Sequence, residues 1–299
     1  MSHPQTLVAL STAPIHPSLN DALRHHAQII GVELLPSQLD ANAPPYFSQR
    51  WRASSTIPPE ARAVLREIAS QHQSDLAFLS AAFKPHAIKV LAMDMDSTLI
   101  NIECIDEIAD FTGKKAAVSE ITEATMRGEI KDFKESLRRR VKLLSGVSED
   151  VLESIYQERL RPNPGAYELL NGAHERGLYT LLVSGGFTFF TEKLRVQLGF
   201  KQAQANTLEI IDGKLTGNVL GEIVDGAAKS MYVDQACQAL GVSKAHAMTM
   251  GDGSNDLPMM HGSGLSIAYK AKPLVKEKAD AAFDRVGLDA ALLLIQQAN

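Results

Sequence analysis

Three mainly apolar runs dominate the hydrophobic pattern of the chain after residue 84. They span residues 88–93, 179–183 and 245–250, and each is followed by a polar or glycine-rich turn. Continuous apolar runs separated by helix-forming segments are typical of parallel strands that are buried on both faces. The pattern therefore predicts an α/β fold with a doubly wound, Rossmann-like parallel sheet, in which ligands bind beyond the carboxyl ends of the strands.

The segment between the first two runs is too long for a single crossover helix. Residues 104–178 are rich in helix formers, whereas a complete strand–helix–strand unit needs only about 30 residues. We therefore predict a helical cap over 104–178, inserted into a core that comprises 85–103 and 179–299. Later in the chain, alternating apolar residues on both sides of Asp212 and Gly213 predict an antiparallel hairpin.

The first 84 residues have a different pattern, in which short apolar stretches alternate with two helical segments. The predicted order is strand, helix, two strands, helix and strand, and Pro58 and Pro59 open the second helix. Lys84, which precedes a proline, then marks a linker. We predict a small α+β domain over residues 1–84 and a second domain over residues 85–299.

Composition places the chain among ordinary globular proteins and excludes several functional classes. Of its 299 residues, 45% are hydrophobic and 22% are charged, and the formal net charge is -5. The lack of a long basic run argues against nucleic-acid binding, and no apolar run reaches the ~18 residues of a membrane span. Cys104 and Cys237 lack the CxxC spacing of zinc and redox sites, and the first residues do not resemble a signal peptide. We therefore expect a cytoplasmic protein without a membrane partner.

Two acidic residues directly follow the first apolar run. Asp94 and Asp96 would lie at the mouth of the sheet, where Asp94 can attack phosphorus and Asp96 can protonate the leaving oxygen and then activate water. A free aspartate has a pKa of about 3.9, so this role for Asp96 requires a neighbouring carboxylate that raises its pKa. Acidic residues after a strand also cap turns and helices without any catalytic role.

A second acidic turn, over residues 251–256, follows the third apolar run. Mg²⁺ usually binds one or two carboxylates together with phosphate oxygens and water, and Asp94 with Asp252 supplies such a pair. A dianionic phosphomonoester beside several carboxylates needs a cation that offsets the repulsion. Together the two turns predict a magnesium site and a small phosphomonoester substrate, although ordinary turn formation also explains each turn alone.

Ser184, Gly185 and Gly186 follow the second apolar run, just before a helical segment. A hydroxyl and backbone N–H groups at the start of a helix can bind a phosphate oxygen, and glycine permits the close approach. Lys229, near the start of a later helical segment, would offset the carboxylates and stabilise negative charge in the transition state. The alternatives are an ordinary turn for the glycines and a solvated surface position for the lysine.

With these elements in this order, namely 94–98, 184–186, Lys229 and 251–256, the chain resembles the haloacid dehalogenase-like phosphohydrolases. The resemblance covers about residues 87–299. It is greatest to those members that hydrolyse O-phosphoserine to serine, the last step of serine biosynthesis. It implies a doubly wound core with a helical cap, Mg²⁺ as the cofactor and a phosphoryl intermediate on the nucleophilic aspartate.

The resemblance also implies roles for single residues. It assigns the magnesium ligands to Asp94, Asp252 and the backbone carbonyl of Asp96. It assigns phosphate binding to Ser184, Gly186 and Lys229, with Asn255 near the phosphate and Asp256 on the metal side.

Glu103 and Arg140, in the predicted cap, match the positions that bind the amino-acid part of the substrate in that family. An acidic and a basic side chain would recognise the ammonium and the carboxylate of phosphoserine. Helical spacing puts Arg140 at the edge of an apolar stripe that includes Leu137 and Val141, whereas Arg139 points away. Common structural alternatives are a flanking surface position for Arg140 and a first-turn helix acid for Glu103.

Three alternatives stay open from the sequence. The N-terminal segment faintly resembles ACT-like regulatory modules, but a dimerisation element, and hence a homodimer, or a structural support would also fit. The substrate could be another small phosphomonoester, hydrolysed or used in phosphotransfer, and only Glu103 and Arg140 argue against this. A receiver-like signalling module, with Asp94 phosphorylated as a switch, belongs to another functional class, and Asp96 and the large cap disfavour it.

Overall fold

The computed structural model describes residues 5–37, 41–43, 45–127 and 129–296. The strands are β1 (Thr6–Ser11), β2 (Leu34–Pro36), β3 (Ala41–Ala43), β4 (Tyr46–Ala53), β5 (Asp75–Leu79), β6 (Val90–Met93), β7 (Tyr179–Phe187), β8 (Gln202–Ile211), β9 (Lys214–Leu220), β10 (Ala247–Gly251), β11 (Leu265–Tyr269) and β12 (Ala281–Phe283). The helices are α1 (Pro17–Ile29), α2 (Pro59–Gln71), α3 (Cys104–Phe111), α4 (Lys115–Met126), α5 (Phe133–Leu143), α6 (Asp150–Glu158), α7 (Ala166–Glu175), α8 (Thr188–Leu198), α9 (Gly226–Ala239), α10 (Leu257–Met260), α11 (Pro273–Lys278) and α12 (Ala291–Leu294).

The strands in the described part of the chain form one sheet. Its order is β2-β4-β1-β5-β12-β11-β10-β6-β7-β8-β9, with β3 paired to β4. The six neighbours from β12 to β8 are parallel to one another, and the pairs that flank them are antiparallel. The predicted α/β class is confirmed, as a mixed sheet with a parallel centre.

Both faces of the central strands are buried, as the continuous apolar runs predicted. Along β6, Val90 and Ala92 pack with Val233 of α9 on one face. Leu91 and Met93 belong to the larger core on the opposite face, which also contains residues of α7 and α8. Of the helices in the described ranges, none combines the length and the apolar character that crossing a membrane requires.

The predicted hairpin is confirmed as β8 and β9. Asp212 (φ 49°) and Gly213 (φ 71°) both adopt left-handed backbone conformations, which a tight turn between antiparallel strands requires at its two central positions. The first half of β8 also pairs in parallel with β7. The hairpin therefore extends the main sheet.

Residues 104–178 are predominantly helical where they are described, as predicted. Within this segment, α3 contacts α4 and α6, and α4 contacts α5. In contrast, α7 packs against β7 and α12, so the last helix of the segment lies on the central sheet. The boundary of the cap at residue 178 stays a prediction.

The described residues of 1–84, which we call the N-terminal unit, join the central sheet through the antiparallel pairing of β5 with β12. Along β1, Leu7 and Ala9 pack in a local core with residues of α1 and α2. Val8 and Leu10, on the opposite face, belong to the main core of the chain. The N-terminal unit therefore shares both a sheet and a hydrophobic core with the rest of the protein.

This shared core predicts one cooperative unfolding transition. Leu10→Ala should destabilise the whole chain by about 2–5 kcal/mol, because it opens a cavity in a fully buried position. Leu35→Ala, at a position that is 46% exposed, is the control and should change the free energy of unfolding by less than about 0.5 kcal/mol. Urea unfolding followed by far-UV circular dichroism and by the fluorescence of Trp51, in the N-terminal unit, should give coincident curves. Two separated transitions would contradict the shared core.

Candidate active site

The carboxyl ends of three adjacent strands form the floor of a cavity. β10, β6 and β7 lie side by side, and the polar turns that follow or end them face a space of about 710 Å³. The predicted site residues that line this cavity are Asp94, Asp96, Glu103, Arg140, Ser184, Gly186, Asp252 and Asn255. Lys229 is not among the lining residues. The structure thus brings together residues from both acidic turns, the Ser-Gly-Gly turn and the helical segment.

Asp94 is fixed to the end of β6 by main-chain and side-chain hydrogen bonds. Its N–H donates to the carbonyl of Met250 on the neighbouring strand at 3.0 Å. Its Oδ1 accepts a hydrogen bond from the N–H of Met95 at 2.7 Å. The residue is only 5% exposed, so a carboxylate is held in a defined orientation at the floor of the cavity.

The turn after Asp94 is held in shape by Asn163, a residue that the sequence analysis missed. Its Nδ2 donates to the carbonyls of Thr98 and Ile100, at 2.8 and 2.9 Å. Within the turn, Ser97 has φ 56°, a left-handed conformation that is uncommon for residues other than glycine. The turn therefore depends on contacts with a distant loop, which fix how Asp96 enters the cavity.

Asp96 has the environment that a general acid requires. Its Oδ1 accepts a hydrogen bond from the N–H of Cys104 at 3.2 Å. A Cβ atom added to Gly186 would lie 2.6 Å from its Oδ2, so only glycine fits opposite this carboxyl group. Burial, together with the nearby carboxylate of Glu103, raises the pKa of Asp96 to about 7. Asp96 can therefore carry a proton near neutral pH, as its predicted role demands.

Three carboxylates meet beneath the cavity. One oxygen each of Asp94, Asp252 and Asp256 lies within 4.8 Å of the others. Asp252 Oδ1 accepts a hydrogen bond from Thr98 Oγ1 at 3.1 Å. Asp256 Oδ2 accepts the N–H groups of Asp252 and Gly253, at 3.1 and 2.9 Å, so Asp256 shapes the turn that presents Asp252.

Lys229 lies behind these carboxylates and is completely buried. Its Nζ donates to Asp94 Oδ1 at 2.8 Å and to Asp256 Oδ1 at 2.7 Å. Burial alone would lower the pKa of this amine, but the carboxylates of Asp256 and Asp94 raise it above its ordinary value. Lys229 is therefore a charged partner of the nucleophile candidate.

The carboxylate cluster fits a divalent cation such as Mg²⁺. In the described part of the chain, no hydrogen-bond donor reaches Oδ2 of Asp94 or of Asp252, and carboxylate oxygens are the ligands that Mg²⁺ prefers. Burial and repulsion from Asp256 and Glu103 raise the pKa of Asp252 to about 7. A cation bound between Asp94 and Asp252 would relieve that repulsion.

The Ser-Gly-Gly turn is rigidly placed on the other side of Asp96. Ser184 is fully buried, and its Oγ accepts a hydrogen bond from the N–H of Gly186 at 2.8 Å. Asn206, which the sequence analysis missed, donates to the carbonyl of Gly185 and accepts from the N–H of Val224, both at 2.8 Å. These contacts order the turn before any ligand binds.

Glu103 and Arg140 both line the cavity, together with Asp106, which the sequence analysis missed. Glu103 Oε1 accepts a hydrogen bond from Ser97 Oγ at 2.7 Å. Burial lowers the pKa of Arg140, whereas Asp106 and Glu103 act in the opposite direction. The Nε atom of Arg140 is buried and has no hydrogen-bond partner within the described residues. An inward-facing arginine at this position agrees with the predicted stripe.

Lys272 is a further cation at the cavity that the sequence analysis missed. Its N–H donates to the carbonyl of Asp252 at 3.0 Å, and its side chain is exposed. A lysine before Pro273 gave no signal in the sequence, because only the fold brings it to Asp252. Asp106 could have been identified from the sequence, because it lies one helical turn after Glu103 and residues at this spacing are neighbours on a helix.

The chain matches known proteins over most of its length. Residues 91–261 match the model of the haloacid dehalogenase-like hydrolase family. A phosphoserine phosphatase of a Polaromonas species is 54% identical over 212 residues, which are 70% of this chain and 90% of that protein.

Solved structures agree with this match. The crystal structure of a HAD family hydrolase from Salmonella enterica serovar Typhi has a TM-score of 0.84 and 28% identity, and the match covers 99% of both chains. A phosphoserine phosphatase solved as an analogue of its phospho-aspartyl intermediate has a TM-score of 0.65 and 38% identity over 70% of this chain and 99% of that one. The protein described here belongs to the haloacid dehalogenase-like hydrolase family.

Proposed function

We propose that this phosphatase hydrolyses O-phosphoserine to serine and phosphate, with Mg²⁺ as the cofactor and Asp94 as the nucleophile. The observation that carries the proposal is a single cavity whose floor holds Asp94, Asp96 and Asp252 and which Glu103 and Arg140 also line. The residues proposed for phosphate chemistry and those proposed for amino-acid recognition therefore line the same cavity. The relatives that are named phosphoserine phosphatases support this choice of substrate.

Asp94, Asp252 and the backbone carbonyl of Asp96 would hold the metal ion, with Asp256 supporting Asp252. When bound, Mg²⁺ offsets the negative charge of the phosphate and of the carboxylates. Asp94 directly follows β6 and Asp252 directly follows β10, and these two strands are hydrogen-bonded neighbours. The site is therefore built on rigid elements.

In the first step, a carboxylate oxygen of Asp94 bonds to phosphorus and the bond from phosphorus to the serine oxygen breaks. Asp96, whose pKa is raised to about 7, donates its proton to the departing oxygen. Serine leaves with that proton, and the phosphoryl group stays on Asp94. The resulting acyl phosphate is the proposed intermediate.

In the second step, Asp96, now ionised, takes a proton from a water molecule that attacks phosphorus. The bond between phosphorus and the Asp94 oxygen breaks, and inorganic phosphate is formed. Asp96 is again protonated and Asp94 is again a carboxylate, so the enzyme returns to its starting state. One aspartate thus acts as acid and then as base.

The remaining predicted residues would hold the phosphate. Ser184 and Gly186 line the cavity beside Asp96, and Asn255 lines it beside Asp252. Lys229 is 2.8 Å from Asp94 Oδ1, so a phosphoryl group on Asp94 would lie close to this amine. We propose that Lys229 stabilises that group in addition to orienting Asp94.

Glu103 and Arg140 would select the amino acid. The free Nε atom of Arg140 is buried at the cavity, and a guanidinium group can bind a carboxylate through two parallel hydrogen bonds. Glu103 would bind the ammonium group. Substrates without these two groups would lose both interactions and keep only the contacts to phosphate.

We further propose that the reaction is the last step of serine biosynthesis and takes place in the cytoplasm. Residues 1–84 would form a small ACT-like domain, which the observed order of strands and helices in the described part supports. Residues 85–299 would then form the phosphatase domain. A homodimer stays a prediction.

Asp94→Asn tests the nucleophile. Phosphate release from phosphoserine should fall by at least about 10³-fold, because an amide cannot form the acyl phosphate. The melting temperature should remain close to that of the wild type. Asp212→Asn, in the exposed hairpin turn, is the matched control and should retain full turnover. Near-wild-type phosphate release from Asp94→Asn would refute the mechanism.

Arg140→Ala tests recognition of the substrate carboxylate. The KM for phosphoserine should rise by about 10- to 100-fold, because the variant loses one or two charge-assisted hydrogen bonds to the substrate. Hydrolysis of an aryl phosphate, which lacks the carboxylate, should change little. The control is Arg139→Ala, because the neighbouring Arg139 is exposed and pairs with Glu135 instead. Equal losses on both substrates would reject Arg140 as the carboxylate anchor.

A further inference from the structure

A short helix, α11, connects the N-terminal unit to the active site. It contacts both α2 of the N-terminal unit and the turn that contains Ser254 and Asp256. We call residues 251–256 the catalytic loop. Because α11 has only six residues, a displacement of one end is transmitted to the other.

Arg66 of α2 binds the C-terminal end of α11. Its Nη1 donates to the carbonyl of Lys276 at 2.6 Å, and its Nη2 donates to the carbonyls of Ala279 and Asp280 at 2.7 and 3.3 Å. In a longer helix, the N–H of Asp280 would donate to the Lys276 carbonyl. Here that N–H donates to Ser266 Oγ at 2.9 Å instead, so Arg66 supplies the donor.

Other contacts of this junction lie around β12 and the residues after it, where Asp75 Oδ2 accepts the N–H groups of Asp284, Arg285 and Val286 at 3.1, 2.9 and 3.0 Å. Besides Arg66, the pairing of β5 with β12 aligns only two residue pairs, Ala281 with Ala77 and Ala282 with Leu76. A guanidinium group has several donors in a fixed plane and can bind more than one carbonyl at once. Arg66 therefore donates side-chain hydrogen bonds from α2 to the end of α11, whereas Asp75 binds residues 284–286, which follow β12.

The opposite end of α11 is attached to the catalytic loop. Lys272, directly before the helix, donates its N–H to the carbonyl of Asp252 at 3.0 Å. The side chain of Lys272 also lines the cavity, next to Asp252 and Asn255. The position of α11 thus sets the position of the main chain that carries the Asp252 carboxylate.

We propose that Arg66 is a positioning residue, through which the N-terminal unit holds α11 and thereby the catalytic loop in the geometry that binds the metal ion. The part concerning metal affinity rests on the proposed function. The N-terminal unit, although it contributes no group that lines the cavity, then acts on the site through the hydrogen bonds of the Arg66 side chain to α11 and the main-chain bond from Lys272 to Asp252.

Arg66→Met is the test variant and Arg62→Met is the matched control. Both arginines lie on α2 and stack over the ring of Phe78, at 5.1 Å for Arg66 and 5.4 Å for Arg62. Arg62 makes no hydrogen bond to α11 among the described residues. Methionine keeps the length and apolar stem of arginine and removes its donors. Arg66→Lys, which restores part of the donor set, should show an intermediate effect.

Amide hydrogen exchange is the first measurement, made on the full chain without metal. In Arg66→Met, residues 273–280 and the catalytic loop should both exchange about tenfold faster than in the wild type. Arg62→Met should match the wild type in both segments. The second measurement is the Mg²⁺ concentration that gives half of the metal-induced rise in melting temperature. It should increase about three- to tenfold in Arg66→Met only.

Faster exchange at 273–280 with an unchanged catalytic loop would overturn the proposal, as would equal effects of both substitutions. If Arg66→Met does not fold, the same measurements on Arg66→Lys decide the question, with the same two outcomes. If the wild type shows no response to Mg²⁺, the proposed function fails. The exchange comparison still tests the coupling in that case, because it involves neither metal nor turnover.

Discussion

The site depends on keeping several carboxylates close together where little water reaches them. At a separation of about 4 Å and an effective dielectric constant of about 20, two like charges repel by roughly 4 kcal/mol. Lys229, buried and bonded to Asp94 and Asp256, offsets part of this repulsion. Burial and, after it, the repulsion from Asp256 and Glu103 raise the pKa of Asp252. A divalent cation and an anionic substrate would complete the charge balance.

The surrounding fold holds these charges in place through strand pairing and through side chains that bind the main chain of the turns. β6 and β10 are adjacent parallel strands, so their ends bring Asp94 and Asp252 together. Asp256 fixes the turn around Asp252, and Asn163 fixes the turn after Asp94. The helical segment adds Arg140, and the N-terminal unit supports α11 from behind. Together these contacts limit the motion of the carboxylates, which would otherwise move apart because they repel each other.

The central strands and the convergence of the site residues could be predicted because each left a local pattern, an apolar run that ends in an acidic or glycine-rich turn. The pairing of β5 with β12 could not be predicted, because pairing between strands that are distant in sequence leaves no pattern in either segment. Asn163, Asn206 and Lys272 were missed for the same reason, because each acts through the fold on a distant turn. Lys229 was identified, but its complete burial was unexpected, as most helix lysines are solvated.

The most direct test of the account is a crystal structure of the protein with Mg²⁺ and beryllofluoride, which mimics a phosphoryl group on a carboxylate. We predict beryllium bonded to a carboxylate oxygen of Asp94, with the magnesium ion bound between Asp94 and Asp252. Fluorines should lie against Ser184 and Lys229. Beryllofluoride or the metal ion bound elsewhere, with Asp94 left unmodified, would contradict the claim that these carboxylates form one magnesium-dependent phosphoryl-transfer site.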